Sequence, residues 1–313
     1  MYQVLKIIQI TVLICLLLTC CSFASPGYDV KALSKLPEEK IDIGIAGLVL
    51  AKEIFPEIDI QEYSKRIDRI AFDVRRLTAG NNSPDYRIRA LNTHLYKIFG
   101  MEYDLNDPYV KNIKNRYING ILDTKKGSCV SMPLLYLAVA QRLGYPIYAV
   151  NVPQHIFLRY VDPSLKMKNI EATGGGGYSS DEEYIESLQI SFIALTKGAY
   201  LRTLTHREFL GILIAQNGIY WANNGDIDRA IEYLEIAVRL NPKDADSTRS
   251  LGYSYRAKGK QSQGQVIENY FSKAKECVSI AEQLGVTTLP LNNYIESQRK
   301  AQKKFRNQNS SGG

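Results

Sequence analysis

Cys129 stands in the run Gly127-Ser128-Cys129-Val130-Ser131, at the head of an apolar helical pattern through Leu134, Leu135, Leu137, Ala138 and Leu143. Cysteine reacts as its thiolate, and the unpaired N–H groups of a helix start favour that form. The same N–H groups suit an oxyanion formed on an attacked carbonyl. A nucleophile also needs a base, and the chain has three histidines. His94 falls inside one helical pattern and His206 at the start of another; only His155 opens a β-like run. The distance from Cys129 to His155 accommodates a helix, a turn and a strand running back. Glu171, in the next β-like run, suits the third group, which holds the imidazole in its useful tautomer. Asp162 is the other candidate, but its place soon after His155 suits a turn better.

These residues need elements to carry them. Apolar spacing predicts one helix through Ile43, Ala46, Leu50 and Ile54, stopped at Pro56, and a second through Tyr63, Ile67, Ile70, Val74 and Leu77. A third runs through Ile88, Leu91, Leu95 and Ile98 to Gly100. A helix over Cys129–Leu143 ends at Gly144. Three β-like runs follow, Ile147–Val150, His155–Tyr160 and Asn169–Ala172. Gly174 to Gly177 reads as a turn; with no Lys-Ser/Thr it is not a phosphate loop. Residues 41–200 are therefore expected to be an α+β domain, with a helical N-terminal lobe and a small antiparallel sheet.

Helical spacing returns at about His206. Counting from Gly211, Gly218, Trp221, Gly225, Ala230, Leu234, Ala237 and Pro242 fall at places 8, 11, 15, 20, 24, 27 and 32. That is the tetratricopeptide register, with small residues where paired helices touch. Gly252, Tyr255 and Gly259 repeat places 8, 11 and 15, and an insertion precedes Ala274, Val278 and Ala281. An all-α repeat segment is expected over 206–285, packed on the preceding domain, with a terminal helix and basic tail over 286–313.

The 313 residues are 45% apolar and 23% charged, a globular composition. The net charge of +7 is uneven. Lys6 lies near the start, and Arg299, Lys300, Lys303, Lys304 and Arg306 lie in the last fifteen residues, so the body is nearly neutral. That argues against a nucleic-acid groove. Three histidines in three separate elements, without paired cysteine motifs, offer no zinc spacing, and no metal or cofactor is expected.

Met1–Lys6 followed by the apolar run Ile7–Leu18 is too short to span a bilayer and fits a secretory leader. Leu18-Thr19-Cys20-Cys21 resembles a bacterial lipoprotein box with Cys21 as the lipidated residue, although Cys20 stands where a small residue is usual. Ser22-Phe23-Ala24 is a competing site for ordinary cleavage. The expectation is a leader over 1–21, a tether over 22–40, and an exported, membrane-anchored protein facing the periplasm or the exterior. Cys129 and Cys277 then remain, and a disulfide between them is the bland alternative to a reactive thiol.

The runs GSCVSMPLLYLAVAQRLGYPIYAV, HIFLRY and NIEATGGG resemble the transglutaminase-like fold of papain-type Cys-His-Asp enzymes, more narrowly the SirB-type proteins, in which a tetratricopeptide segment follows the core. The resemblance covers roughly residues 43–260 and includes YINGILDTKKG and GDIDRAIEYLEIAVRLNP. It implies Cys129 as nucleophile, His155 as base and Glu171 as orienting acid, where the family usually has Asp before Pro. Many SirB-type relatives lack the cysteine. Asn112, Asn115, Tyr117 and Asn119 are nearby, and none is assigned an oxyanion role. The expected activity is cysteine acyl transfer on protein or cell-wall peptide amides, by hydrolysis or by amine cross-linking. The alternative is an inactive core whose groove and repeats bind a peptide or a partner protein.

Overall fold

The computed structural model describes residues 29–287, apart from residue 167. The leader, the expected lipidation at Cys21 and the basic tail lie outside the described residues.

The chain runs α1 (Val30–Lys35), α2 (Ile43–Lys52), α3 (Ile60–Thr78), α4 (Pro84–Asn92), β1 (Glu102–Tyr103), α5 (Ile118–Thr124), β2 (Lys126–Gly127) and α6 (Ser131–Arg142). It continues through β3 (Ile147–Val152), β4 (His155–Tyr160), β5 (Asn169–Ile170), α7 (Asp181–Ser187) and α8 (Phe192–Lys197). Four longer helices complete the described residues: α9 (His206–Asn223), α10 (Ile227–Leu240), α11 (Ala245–Gln261) and α12 (Val266–Gln283). The architecture is α+β, as the sequence predicts.

Local chemistry explains the first helices. Asp59 caps α3 by accepting from the N–H groups of Gln61 and Glu62, and Ile67, Ile70, Ala71 and Val74 bury one stripe. The third predicted helix is α4, which passes into a π-helical turn over Thr93–Ile98. Residues 29–40, expected within a tether, are instead ordered: α1 buries Val30 and Leu33, and the Glu38 carboxylate accepts from His206 N and Arg207 N at the start of α9. Their polar composition conceals a contact made with a distant element.

α6 is buried from Ser131 to Ala140. It is the hub of the domain, packing against α2, α3, α5 and β3. Burial on all sides explains why its apolar residues do not alternate with polar ones. The antiparallel sheet has the order β3-β4-β5, with Val152 opposite His155 and Leu158 opposite Ile170. Ile156, Leu158 and Tyr160 join the core around α6, while Val150, Val152 and Phe157 join a second core with Tyr184, Leu188 and Tyr200. Covered on both faces, these strands read as continuous apolar runs. A short parallel pairing of β1 with β2, which the sequence did not announce, sets Tyr103 beside Gly127.

α9 to α12 form two consecutive helix pairs. Gly218 meets Leu234, Tyr233 and Ala230 of α10, and Gly252 meets Ala274, Cys277 and Val278 of α12. Small residues let each pair approach closely. Among the described residues, no helix is long and apolar enough to cross a membrane.

Candidate active site

Cys129 sits in a turn two residues ahead of α6, which begins at Ser131 rather than at Cys129 as expected. The turn is tied from both sides. The Ser131 hydroxyl accepts from Ser128 N at 3.0 Å and donates to the Asn115 carbonyl at 2.6 Å. Asn115 is itself held, donating to Asp104 at 3.0 Å and Asp107 at 3.1 Å. Gly127 has no room for a side chain: a Cβ would lie 2.7–2.8 Å from Ile121, Met132 and Ser131. Cys129 is therefore presented on a fixed platform, and its backbone N–H makes no hydrogen bond among the described residues.

The β3–β4 hairpin returns the chain to this point. The Cys129 Sγ donates to the Gln154 carbonyl at 3.8 Å, a long contact, and His155 follows immediately. The His155 ring is buried, 3% exposed. Its Nε2 lies 2.7 Å from Glu171 Oε2, while Nδ1 has no hydrogen-bond partner among the described residues. Burial alone would lower the imidazole pKa. The Glu171 carboxylate and the neighbouring Cys129 outweigh it and push the group up to about 10. The ring is thus held as an imidazolium beside the thiol, with Nδ1 free of other partners.

Glu171 is 2% exposed and lies one residue past the end of β5, capping a 3₁₀ turn. Oε1 accepts from Thr173 N at 3.0 Å and Thr173 Oγ1 at 2.7 Å; Oε2 accepts from Tyr184 OH at 2.7 Å as well as facing His155. Burial pushes its pKa up, but His155, Tyr184 and Thr173 together bring it below the usual value. Tyr184 in turn has its phenol pushed well above the ordinary range by burial and by Glu171, so it stays a donor, and its ring stacks on Phe157 at 4.3 Å. Sequence reasoning missed Tyr184, which comes from a separate helix and carries no local signal. Thr173, two residues from the acid, was visible in NIEATGGG.

The other candidates separate cleanly. Asp162 lies in an exposed turn, accepting from Ser164. His94 is buried 3.7 Å from Asp73, and His206 lies 3.4 Å from Glu38. Neither lines the cleft at Cys129. Cys129 and Cys277 are both free thiols, which overturns the disulfide alternative. Among the described residues, no three His, Cys, Asp or Glu side chains form a group that could hold a metal ion.

The thiol opens on a cleft of about 300 Å³. One wall is Ser128, Cys129, Val152 and His155. The other comes from α9, through Ile212 and Gln216, and from the start of α11, through Asp246 and Arg249. The helix pairs thus help to form the candidate site, although nothing in the sequence marked which of their residues reach it.

Several known proteins are similar to parts of this chain. The chain is 23% identical over 239 residues to a UPF0162 protein of Xylella fastidiosa (strain 9a5c), a match covering 74% of this chain and 83% of that protein. It is 39% identical over 71 residues to F-box only protein 21 of Mus musculus, covering 23% of this chain and 11% of that one. It is 27% identical over 136 residues to Photosystem I assembly protein Ycf3 of Prochlorococcus marinus, covering 42% and 66%. Residues 61–215, which include Cys129, His155 and Glu171, match the transglutaminase-like superfamily.

Proposed function

We propose that this protein is a transglutaminase-like cysteine acyl-transfer enzyme of the SirB type, with Cys129 as nucleophile, His155 as acid and base, and Glu171 as the residue that orients His155. The observation carrying this reading is the buried His155–Glu171 contact of 2.7 Å next to a half-buried free thiol. The Cys129 thiolate attacks an amide carbonyl, forming a C–S bond. The oxyanion finds the free Cys129 N–H. The C–N bond then breaks as His155 delivers its proton to the departing amine, leaving a thioester. Water or a second amine attacks the thioester, its proton passes to His155, and the thiolate returns. Water gives peptidase or amidase chemistry; an amine gives a cross-link. We further propose that the helix pairs are tetratricopeptide units, and that an N-terminal leader exports the chain and leaves it lipid-anchored through Cys21, acting on protein or cell-wall peptide amides.

A second reading has support in the cleft itself. A groove walled on one side by helix pairs suits a bound peptide, and an inactive core would use it for a partner protein. Iodoacetamide at pH 6 separates the two. The enzyme reading expects Cys129 to be alkylated at least tenfold faster than Cys277, with the advantage lost in His155→Ala. Equal rates at the two cysteines would leave the binding reading.

A further inference from the structure

The charged groups around the cleft are not equally answered. Asp246 accepts from Arg249 at 2.8 Å and from Tyr200 OH at 2.8 Å. Asp244 caps α11, accepting from the N–H groups of Asp246 and Ser247 and from the Ser247 hydroxyl. Glu171 is saturated by His155, Thr173 and Tyr184. Arg116 lines the same cleft, half-buried, and its guanidinium has no acid, acceptor or ring partner among the described residues. Gln216, which α9 contributes to the same cleft, makes no side-chain hydrogen bond among them either.

Both are carried on rigid supports. Asn115, next to Arg116, holds the Ser131 hydroxyl, which also steadies the turn bearing Cys129. Tyr117, on its other side, donates through its hydroxyl to Asn217 Oδ1 at 2.9 Å, and Asn217 Nδ2 donates to the Leu50 carbonyl at 3.0 Å. One buried bond thus joins the neighbours of Arg116 and Gln216. A five-donor guanidinium left open in a cleft is suited to a carboxylate, and an amide N–H can add a bond to the same group.

We propose that Arg116, assisted by Gln216, is a specificity-determining anchor for a carboxylate that the substrate carries near the acyl group presented to Cys129. This deepens the acyl-transfer reading and rests on it. The carboxylate belongs either to an acidic side chain or to a chain terminus.

Two reagents that differ only in charge test this, iodoacetate and iodoacetamide. The ratio of their rates at Cys129 is expected to exceed the ratio at Cys277 in the same full-length protein. It should fall by about threefold to tenfold in Arg116→Gln, be largely kept in Arg116→Lys, and shrink as salt is raised, as befits one screened charge in a half-open site. His155 also attracts the anion, so an unchanged ratio in Arg116→Gln overturns the proposal. Loss of the iodoacetamide advantage over Cys277 is a separate outcome and overturns the acyl-transfer reading instead. Protection of Cys129 from iodoacetamide then identifies the source. N-acetyl-Ala-Ala carries a terminal carboxylate, N-acetyl-Ala-Glu-amide a side-chain one, and N-acetyl-Ala-Gln-amide neither. Selective protection by either acid, lost in Arg116→Gln, supports the anchor; equal protection by all three overturns it.

Discussion

His155 Nε2 and Glu171 Oε2 meet at 2.7 Å inside the protein, and the carboxylate makes three further bonds, two to Thr173 and one to Tyr184. A buried charge is costly unless every oxygen is answered. Here each one is. These bonds offset the cost of burial, and they fix the imidazole by one nitrogen while its Nδ1 has no hydrogen-bond partner among the described residues.

Breaking that pair by removing the acid should be expensive. Glu171→Ala leaves a buried imidazole and a buried Tyr184 hydroxyl without their partner, and a cavity, and is expected to lower stability by about 3–5 kcal/mol in urea unfolding. Glu171→Gln keeps the volume and should cost less. Both should lower Cys129 alkylation at pH 6. Alkylation at the wild-type rate in Glu171→Gln would remove the acid from the proposed mechanism.

The pair also sets a pH dependence. His155 is raised in the folded state, from 6.5 to about 10, so its contribution is complete below pH 6.5 and declines as pH rises toward 10. Glu171 is lowered from 4.5, so its contribution is present above that value and is lost as pH falls through its folded pKa. The stability difference between wild type and a His155→Ala, Glu171→Ala double variant should be greatest between about pH 4.5 and 6.5. Chemical unfolding across pH 3–10 measures it (an approximate range chosen to bracket both groups). A difference that rises above pH 7 would contradict the charged pair.

Tyr184→Phe removes one donor to Glu171 and leaves the stack on Phe157 in place. The expected cost is about 1.5–3 kcal/mol, since the acceptor is charged and buried. The His155 resonance, followed by NMR as pH is raised, should titrate at a higher pH than in wild type, because a carboxylate with one donor fewer holds the imidazolium proton more tightly. An unshifted titration would show that Tyr184 only packs.

Gly176 is held at φ +77°, and a Cβ there would lie 2.1 Å from Asn92 Oδ1. Its carbonyl accepts from Asn92 Nδ2 at 3.0 Å, while Tyr136 OH donates to Asn92 Oδ1 at 3.0 Å. Gly176→Ala should therefore cost about 2–4 kcal/mol through backbone strain and displacement of Asn92. A thermal midpoint within a degree of wild type would mean that the glycine loop shifts freely.

Much of this was legible along the chain. The stripe Ile67, Ile70 and Val74 determined α3, and the run His155–Tyr160 determined β4 with the same limits, because side-chain periodicity is a property of each segment's own backbone. The pairing of Cys129 with His155 followed from helix, turn and returning strand. What tertiary structure alone decided is which distant groups close around them. Tyr184 reaches Glu171 from α7; α9 and α11 wall the cleft; Glu38 caps α9 from a stretch that reads as a linker. Such contacts are selected by the burial of facing surfaces from elements far apart in sequence. No local spacing encodes them, and the open guanidinium of Arg116 acquires its meaning only once those surfaces have met.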